Sequence, residues 1–187
     1  MNVTFITGNQ DKARYLAQWL GHDVPHQKID LPEIQSLELA EVVAHKAHEA
    51  YKQLGSPVLV EDVSLSFAAL DDRLPGTFVK WFLETVGNEG MLKMLAGFDD
   101  RRATARIMYA LYDGHTLHTF GGEMPGSIAA AVAVSNDSGW KSSKSWNAIF
   151  IPEGSTKTYA EMTDEELQPF SHRAQAIEKL RIFLDQA

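Results

Sequence analysis

The sequence predicts a single α/β domain, and three observations lead to that prediction. Short β-branched or apolar runs alternate along the chain with segments whose apolar residues recur at helical spacing. No repeat, linker or low-complexity tract divides residues 1–187. With 187 residues, 44% of them hydrophobic and 22% charged, the chain has the length and composition of one globular domain with a sizeable core.

The first predicted unit is a strand over residues 2–6 and a helix that begins near Lys12. Gly8 and Asn9 allow a tight turn between them. A helix N-terminus after such a turn presents backbone N–H groups to an anion, and Lys12 can reach a phosphate held there. An ordinary strand–helix turn with a solvated lysine fits equally well, because the spacing matches neither a P-loop nor a dinucleotide-binding loop.

The next predicted elements are a short strand over residues 26–31, a helix over 38–54 and a strand over 57–60. The helix has an apolar stripe and an acidic first turn, as the helix dipole favours. The strand is a continuous apolar run typical of a buried central strand. Glu61 and Asp62 follow it directly, and carboxylates at the end of a buried strand predict metal ligands or a general base.

The rest of the chain continues the alternation and ends in a long helix. We predict helices over 78–83 and 91–95 with residues 87–90 between them, strands over 103–112, 117–121 and 126–133, a polar loop over 135–145, a strand over 146–151, helix openings at 158–161 and 163–166, and a helix over 171–184. Asp113 and Gly114 predict a hairpin between two of these strands. Thr163 and Glu166 predict a capping box.

Charge and composition limit the function. Seventeen Lys and Arg against 25 Asp and Glu give a net charge of −8, which disfavours a nucleic acid polymer as a partner. A small phosphate ligand needs only a local positive pocket or a bridging metal. The absence of cysteine excludes disulfides, thiolate metal sites and cysteine nucleophiles. No signal-peptide pattern and no apolar run of about 18 residues occur, so we expect a cytoplasmic protein without a membrane segment.

Two other clusters of polar residues are weaker candidates for a functional site. His45 and His48 lie three residues apart on a predicted helix, but no third metal ligand accompanies them and a solvated face is favoured. Ser171 predicts a helix N-cap, with His172 and Arg173 as either exposed polar residues or part of a site. No glycine pattern of a nucleophile elbow surrounds any serine, so a Ser/His/Asp hydrolase is not indicated.

Several short motifs follow one another from the first strand to the last helix: Thr7-Gly8-Asn9 with Lys12, Asp30-Leu31-Pro32-Glu33, Glu38 with Lys46, Val58 to Asp62, Leu74-Pro75-Gly76, Lys80-Trp81-Phe82, Leu95 to Phe98, Thr158 to Met162, and Ser171-His172-Arg173. In this order and spacing they resemble the inosine triphosphate pyrophosphatase family. The resemblance implies a long twisted mixed sheet flanked by helices, two lobes with a central nucleotide cleft, and a homodimer. Residues 1–187 would form one nucleoside triphosphate pyrophosphatase domain.

The resemblance also implies a reaction, NTP + H₂O → NMP + pyrophosphate with Mg²⁺, and residue roles. It assigns the triphosphate to Thr7, Gly8, Asn9, Lys12 and Lys46. The implied catalytic residues are Asp62, Glu38 and Lys12, with Glu38 and Asp62 serving the metal and the attacking water and Glu61 beside them. The implied base-binding residues are Trp146, Asn147, Ser171, His172 and Arg173. Taken alone, the acids could equally be surface groups, although carboxylates are ligands that Mg²⁺ prefers.

Four positions at the implied base end depart from the family pattern. Lys144 stands where the family has a stacking aromatic residue, Asn147 where it has aspartate, Ala148 where it has proline and Leu167 where it has lysine. An asparagine donates as well as accepts, which can change the base edge that is accepted. We therefore expect ITP, dITP and XTP as substrates. The alternatives are a family member acting on another modified nucleotide, or a nucleotide-binding protein with weak turnover.

Overall fold

The structure is a computed structural model that describes residues 3–135 and 141–186. Its strands are β1 (Thr4–Ile6), β2 (His26–Gln27), β3 (Val58–Phe67), β4 (Pro75–Gly76), β5 (Arg102–Tyr112), β6 (Leu117–Ile128) and β7 (Phe150–Pro152). Its α-helices are α1 (Gln10–Leu20), α2 (Leu39–Leu54), α3 (Val79–Thr85), α4 (Gly87–Met94), α5 (Asp164–Leu167) and α6 (His172–Gln186). The predicted α/β class is confirmed.

These strands form one open mixed sheet in the order β2-β1-β3-β5-β6-β7, with β4 paired to β3. β1 runs parallel to both β2 and β3, with Thr4 opposite Val58. β6 and β7 are antiparallel, with Ser127 opposite Ile151. β5 and β6 are neighbours joined by a turn in which Asp113 Oδ1 accepts the backbone N–H groups of His115 and Thr116. The predicted hairpin is confirmed.

The chain divides into two compact units. Unit 1 comprises Met1–Val63, Ile107–Gly122 and Arg173–Ala187. Alternation along β3 builds its core, because successive side chains of a strand point to opposite faces of the sheet. Leu59 packs in one cluster with apolar residues of α1 and α6, such as Leu16 and Ile177. Val58 and Val60 pack in another, with Val43, Ala47 and Ala50 of α2.

Unit 2 comprises Ser64–Arg106 and Glu123–His172. Its core contains Leu65 and Phe67 from the second half of β3, and residues of α4, β5, β6 and β7 pack around them. Trp146, Tyr159 and Leu167 belong to the same cluster. Each unit therefore has its own hydrophobic core, and β3, β5 and β6 contribute residues to both.

Several predicted boundaries are wrong where polar residues lie inside an element. The strand predicted at 57–60 continues to Phe67, so Glu61 and Asp62 lie within β3 and not at its end. Residues 87–90, left between two predicted helices, are the first part of α4, because burial of Met91 and Leu92 outweighs the low helix propensity of its glycines. The strands predicted at 117–121 and 126–133 are one strand that ends at Ile128.

Three further boundaries differ for local reasons. α1 begins before Lys12, at Gln10, since the side chain of Asn9 caps it. The strand predicted over 26–31 is reduced to the two residues of β2, because its partner β1 has only three residues with which to pair. Trp146–Ala148 is a 3₁₀ turn capped by the Ser145 side chain, so the predicted strand over 146–151 is reduced to β7. The predicted α2, the capping box of Thr163 and Glu166, and the terminal helix are confirmed within two residues.

Some predictions fall outside the described residues. These are Asn2 in the first predicted strand and residues 136–140 of the predicted loop, with Trp140. Among the helices that the structure describes, none combines the length and the apolar character that a membrane crossing requires.

Gly126 in β6 fits only a residue without a side chain. A Cβ at this position would lie 2.2 Å from the backbone oxygen of Ile151 and 2.7 Å from a ring carbon of Phe150. We expect Gly126→Ala to lower the free energy of unfolding by about 2–3 kcal/mol in urea titrations, because β7 would have to move. Gly97→Ala is the matched control, since a Cβ there meets no atom within 4 Å. Equal losses in the two variants would contradict this packing.

Candidate active site

Two adjacent carboxylates of β3 organise the candidate site in unit 1. Glu61 shares the sheet face of Leu59, towards α1 and α6, and Asp62 shares the opposite face with Val60, towards α2. Each carboxylate meets a lysine of the helix that covers its face. Lys12 of α1 contacts Glu61 and Lys46 of α2 contacts Asp62. The sequence analysis grouped Glu61 with Asp62 near the metal and the attacking water. The strand instead directs the two side chains to different lysines.

Glu61 bridges two cations. Its side chain is only 2% exposed, and its two oxygens separately accept hydrogen bonds from Lys12 Nζ and Arg173 Nη1. Arg173 Nη1 also donates to the hydroxyl of Tyr109 at 3.0 Å. Lys12 is 36% exposed, so one end of this cluster reaches solvent while the carboxylate does not.

Burial and charge act in opposite directions on these groups. Burial alone would raise the pKa of Glu61, but the charges of Arg173 and Lys12 and their hydrogen bonds outweigh it and lower the pKa to about 2. Burial alone would lower the pKa of Arg173, and the charge of Glu61 outweighs it and raises the pKa. Burial raises the pKa of the Tyr109 phenol. Glu61 is therefore an anion and Tyr109 a neutral phenol at neutral pH.

Asp62 and Lys46 form the second ion pair. Lys46 Nζ donates to Asp62 Oδ2 at 2.7 Å and lies 3.4 Å from Glu33 Oε1. The other oxygen, Asp62 Oδ1, accepts the backbone N–H of Val63 at 2.8 Å. Burial alone would lower the pKa of Lys46, but the charge and hydrogen bond of Asp62, with a smaller effect of Glu33, raise it. The Asp62 side chain keeps 22% of its surface exposed, which leaves it accessible to a reactant.

The turn between β1 and α1 is organised by its own side chains. Asn9 Oδ1 accepts the backbone N–H groups of Asp11 at 2.9 Å and Lys12 at 3.3 Å, and Thr7 Oγ1 accepts the N–H of Asn9 at 3.1 Å. These are groups that the sequence assigned to a phosphate. A phosphate bound at this turn would compete with the Asn9 side chain for them, and Gly8 would let it approach the backbone closely.

Glu38 is the exposed residue that precedes α2. Its backbone N–H donates to Ser36 Oγ at 3.0 Å, and its carbonyl accepts N–H groups of Glu41 and Val42. Within residues 3–135 and 141–186, no group of three His, Asp or Glu side chains is arranged to hold a metal ion. Any metal ligation by Glu38 and Asp62 would therefore depend on oxygens from another source, such as a bound phosphate.

The implied base-binding residues of unit 2 are buried around an aromatic cluster. Trp146, Asn147, Ser171 and His172 are each less than 10% exposed. The rings of Tyr159 and His172 are stacked, with centroids 5.8 Å apart and planes 4° apart. Tyr159 donates its hydroxyl proton to the carbonyl of Phe170 at 2.7 Å, while His172 Nδ1 lies 3.4 Å from the hydroxyl oxygen. The phenol of Tyr159 and the imidazole of His172 therefore pack together next to the Phe170 carbonyl.

The departures from the family pattern occupy different environments. Lys144 is exposed, whereas Ala148 is fully buried. Leu167 is 7% exposed and belongs to the core of unit 2. An apolar side chain packed in the core therefore stands where the family has a lysine. Arg173, which the sequence assigned to the base end, has its Nη1 engaged with Glu61 and Tyr109 in unit 1.

The sequence did not single out Tyr109 or the contact of Glu33 with Lys46. Tyr109 lies in an alternating strand, where an inward-facing aromatic residue is ordinary, so nothing marked its hydroxyl as a partner of Arg173. Glu33 appeared only within a motif. Its approach to Lys46 depends on the path of residues 28–38, which contain no helix or strand.

A model of the Ham1 family matches residues 3–183 of the chain. The chain is 42% identical over 189 aligned positions to the inosine triphosphate pyrophosphatase of Yarrowia lipolytica, covering 98% of this chain and 96% of the relative. It is 40% identical to that of Schizosaccharomyces pombe, with 98% and 95% covered. Inosine triphosphate pyrophosphatase 2 of Trypanosoma cruzi is 43% identical, with 96% and 90% covered.

Solved structures agree with the family model. The Ham1 protein of Staphylococcus aureus has the same fold, with a TM-score of 0.82 over 98% of both chains at 24% identity. A HAM1 protein of Coxiella burnetii gives a TM-score of 0.80 at 26% identity, over 99% of this chain and 98% of that one. The family resemblance inferred from the motifs is therefore confirmed, and the chain belongs to the Ham1 family.

Proposed function

We propose that the protein hydrolyses noncanonical purine nucleoside triphosphates, with ITP, dITP and XTP as its main substrates, to the monophosphate and pyrophosphate. Curated relatives that are 40–43% identical over nearly the whole chain are named inosine triphosphate pyrophosphatases. The observation that carries the proposal is the pair Glu61 and Asp62 on β3, each holding a lysine. Lysine ammonium groups suit a polyphosphate, and a partly exposed aspartate suits an attacking water.

In this proposal the chain's own residues perform three tasks. Lys12 and Lys46 bind and orient the triphosphate, together with the turn of Thr7, Gly8 and Asn9. Asp62 accepts a proton from the water that attacks the α-phosphorus, and the bond between the α-phosphorus and the bridging oxygen of pyrophosphate breaks. Trp146, Asn147, Ser171, His172 and Arg173 select the base. Donors that meet a 6-oxo group would be left unpaired by the 6-amino group of ATP, which disfavours that substrate.

We propose Mg²⁺ as the cofactor, because carboxylate oxygens are ligands that this ion prefers. Mg²⁺ is commonly held by one or two protein carboxylates together with substrate phosphate oxygens and water, so a cluster of three acidic side chains is not required. Glu38 and Asp62 would supply the two carboxylates. Bound there, Mg²⁺ would offset phosphate charge and polarise the phosphoryl group.

The first test is pyrophosphate release from ITP, dITP, XTP, GTP, ATP and pyrimidine triphosphates with Mg²⁺. We expect turnover of ITP and XTP at least about 100-fold above that of ATP, since a site built to hydrogen-bond one base edge strongly rejects the other. EDTA should abolish the turnover and added Mg²⁺ should restore it. Preference for a different base would identify Lys144, Asn147 and Leu167 as the specificity switch. If the folded protein releases no pyrophosphate from any of these substrates, the remaining interpretation is a nucleotide-binding protein.

We further propose a homodimer and a single functional domain over residues 1–187, in accord with the family resemblance. Light scattering after size-exclusion chromatography checks the oligomeric state, and a mass of one 20.8 kDa chain would contradict the dimer. The cytoplasmic location and the lack of a nucleic acid or membrane partner stay predictions from the sequence.

A further inference from the structure

Asn88 joins α4 to the segment that leads into the Trp146–Ala148 turn, within unit 2. Its amide nitrogen Nδ2 donates to the backbone oxygens of Ser143 at 2.8 Å and Ser145 at 2.9 Å. The residue is 6% exposed, and Met91 and Leu92 of the same helix are buried in the core of unit 2. A buried amide on a packed helix therefore holds two carbonyls that lie nearly side by side in the chain.

The carbonyl of Ser145 has a second role. It also accepts the backbone N–H of Ala148 at 3.0 Å, which closes the 3₁₀ turn of Trp146, Asn147 and Ala148. The Ser145 hydroxyl caps the same turn by accepting the N–H of Asn147 at 3.3 Å. Asn88 thus donates to the same carbonyl oxygen that accepts the hydrogen bond closing the turn.

Other contacts hold the preceding residues against unit 2. Ser143 Oγ accepts the N–H of Ser135 at 2.8 Å and donates to its carbonyl at 3.1 Å. Lys141 pairs with Asp164 of α5 at 2.6 Å. Of these anchors, only Asn88 contacts the Ser145 carbonyl itself. The remaining amide atom, Asn88 Oδ1, is buried and has no hydrogen-bond partner among the residues that the structure describes, so the two donor contacts define what this side chain does.

We propose that Asn88 is a positioning residue for base recognition: by holding the carbonyls of Ser143 and Ser145, it sets the placement of Trp146 and Asn147. The inference rests on the proposed function, in which Trp146 and Asn147 contact the base. It adds a residue on a different helix to the determinants of specificity.

The test uses Asn88→Asp and Asn88→Ala, with Glu89→Gln on the exposed surface of α4 as the matched control. Aspartate has the same shape but, when ionised, no donor, so it would face two carbonyl oxygens with a negative charge. We expect the KM for ITP to rise about tenfold in both variants with kcat changed less than about threefold, because base contacts that act in the ground state are lost. Glu89→Gln should resemble the wild type.

Two further readouts separate positioning from general destabilisation. Inhibition by inorganic tripolyphosphate, which offers phosphates without a base, should change less than about twofold. Amide hydrogen exchange at residues 146–149 should rise, while exchange in α1 and β1 stays unchanged. Asn88→Ala keeps the test decisive if the aspartate variant does not fold.

The outcomes are distinguishable from those of the proposed function. An active wild type whose Asn88 variants keep the KM for ITP, or lose ITP and tripolyphosphate affinity equally, would overturn the positioning role. A lowered melting temperature as the only change would also overturn it. A wild type that releases no pyrophosphate would instead refute the proposed function.

Discussion

Asp62→Asn is expected to reduce kcat for pyrophosphate release from ITP by about 100-fold to about 10,000-fold, the usual contribution of a general base. The substitution preserves size and leaves an oxygen that can accept the N–H of Val63, so β3 should keep its structure. An amide cannot take the proton of the attacking water at neutral pH. Single-turnover rates with saturating Mg²⁺ measure the chemical step directly.

Glu33→Gln is the matched control for Asp62→Asn. Both carboxylates contact Lys46, at 3.4 Å from Glu33 and 2.7 Å from Asp62, but only Asp62 is assigned the proton. We expect the control to change kcat by less than about fivefold, since the Glu33 side chain is 47% exposed and its contact with Lys46 is the longer of the two. Turnover by Asp62→Asn within a few-fold of the wild type would refute the assigned role, and equal losses in both variants would point to the charge of Lys46 instead.

Glu61→Gln is expected to lower the free energy of unfolding by about 3–5 kcal/mol, as removal of one partner of a buried ion pair does. The substitution leaves Arg173 with Tyr109 but without its buried counter-ion. Urea titration monitored by circular dichroism measures the loss. Glu49→Gln removes the carboxylate of an i,i+3 ion pair with Lys52 and should leave the urea midpoint almost unchanged. Equal effects of the two substitutions would contradict the buried bridge.

The pH dependence of the same stability has a definite sign. The pKa of Glu61 falls from 4.5 to about 2 on folding, so the native state favours the ionised form. Its stabilising contribution is complete above about pH 4.5 and is lost as the pH falls through about 2. The difference in unfolding free energy between wild type and Glu61→Gln should therefore be constant near neutral pH and shrink in acid. A difference that grows in acid would be inconsistent with this assignment.

The sequence predicted the fold class, the β5–β6 hairpin, α2 and the terminal helix, because these depend on periodicity and turn residues that act locally. It misjudged β3 since it treated Glu61 and Asp62 as a polar boundary. A strand can continue through buried charges when cations from other elements pair with them, and those partners are remote in sequence. Glu61 is 49 residues from Lys12 and 112 from Arg173.

The candidate site was predictable in composition but not in pairing. Lys12, Lys46, Glu61 and Asp62 were identified by motif, yet which lysine meets which carboxylate depends on strand alternation and on the helix that covers each face. Asn88 was placed between two predicted helices, in a segment to which the sequence assigned no contact. Its contacts with Ser143 and Ser145 span 55 and 57 residues, a separation at which single-sequence patterns carry no information.

The adjacency of Glu61 and Asp62 has a consequence for how this strand can change. Because neighbouring side chains of a strand point to opposite faces, inserting or deleting one residue upstream in β3 would exchange the two carboxylates between α1 and α2. The chain would keep every charged group and yet bring the wrong acid to each lysine. Both the ion pairs and the core therefore require that insertions or deletions within β3 come in even numbers of residues. The loops on either side of β3 are not limited in this way.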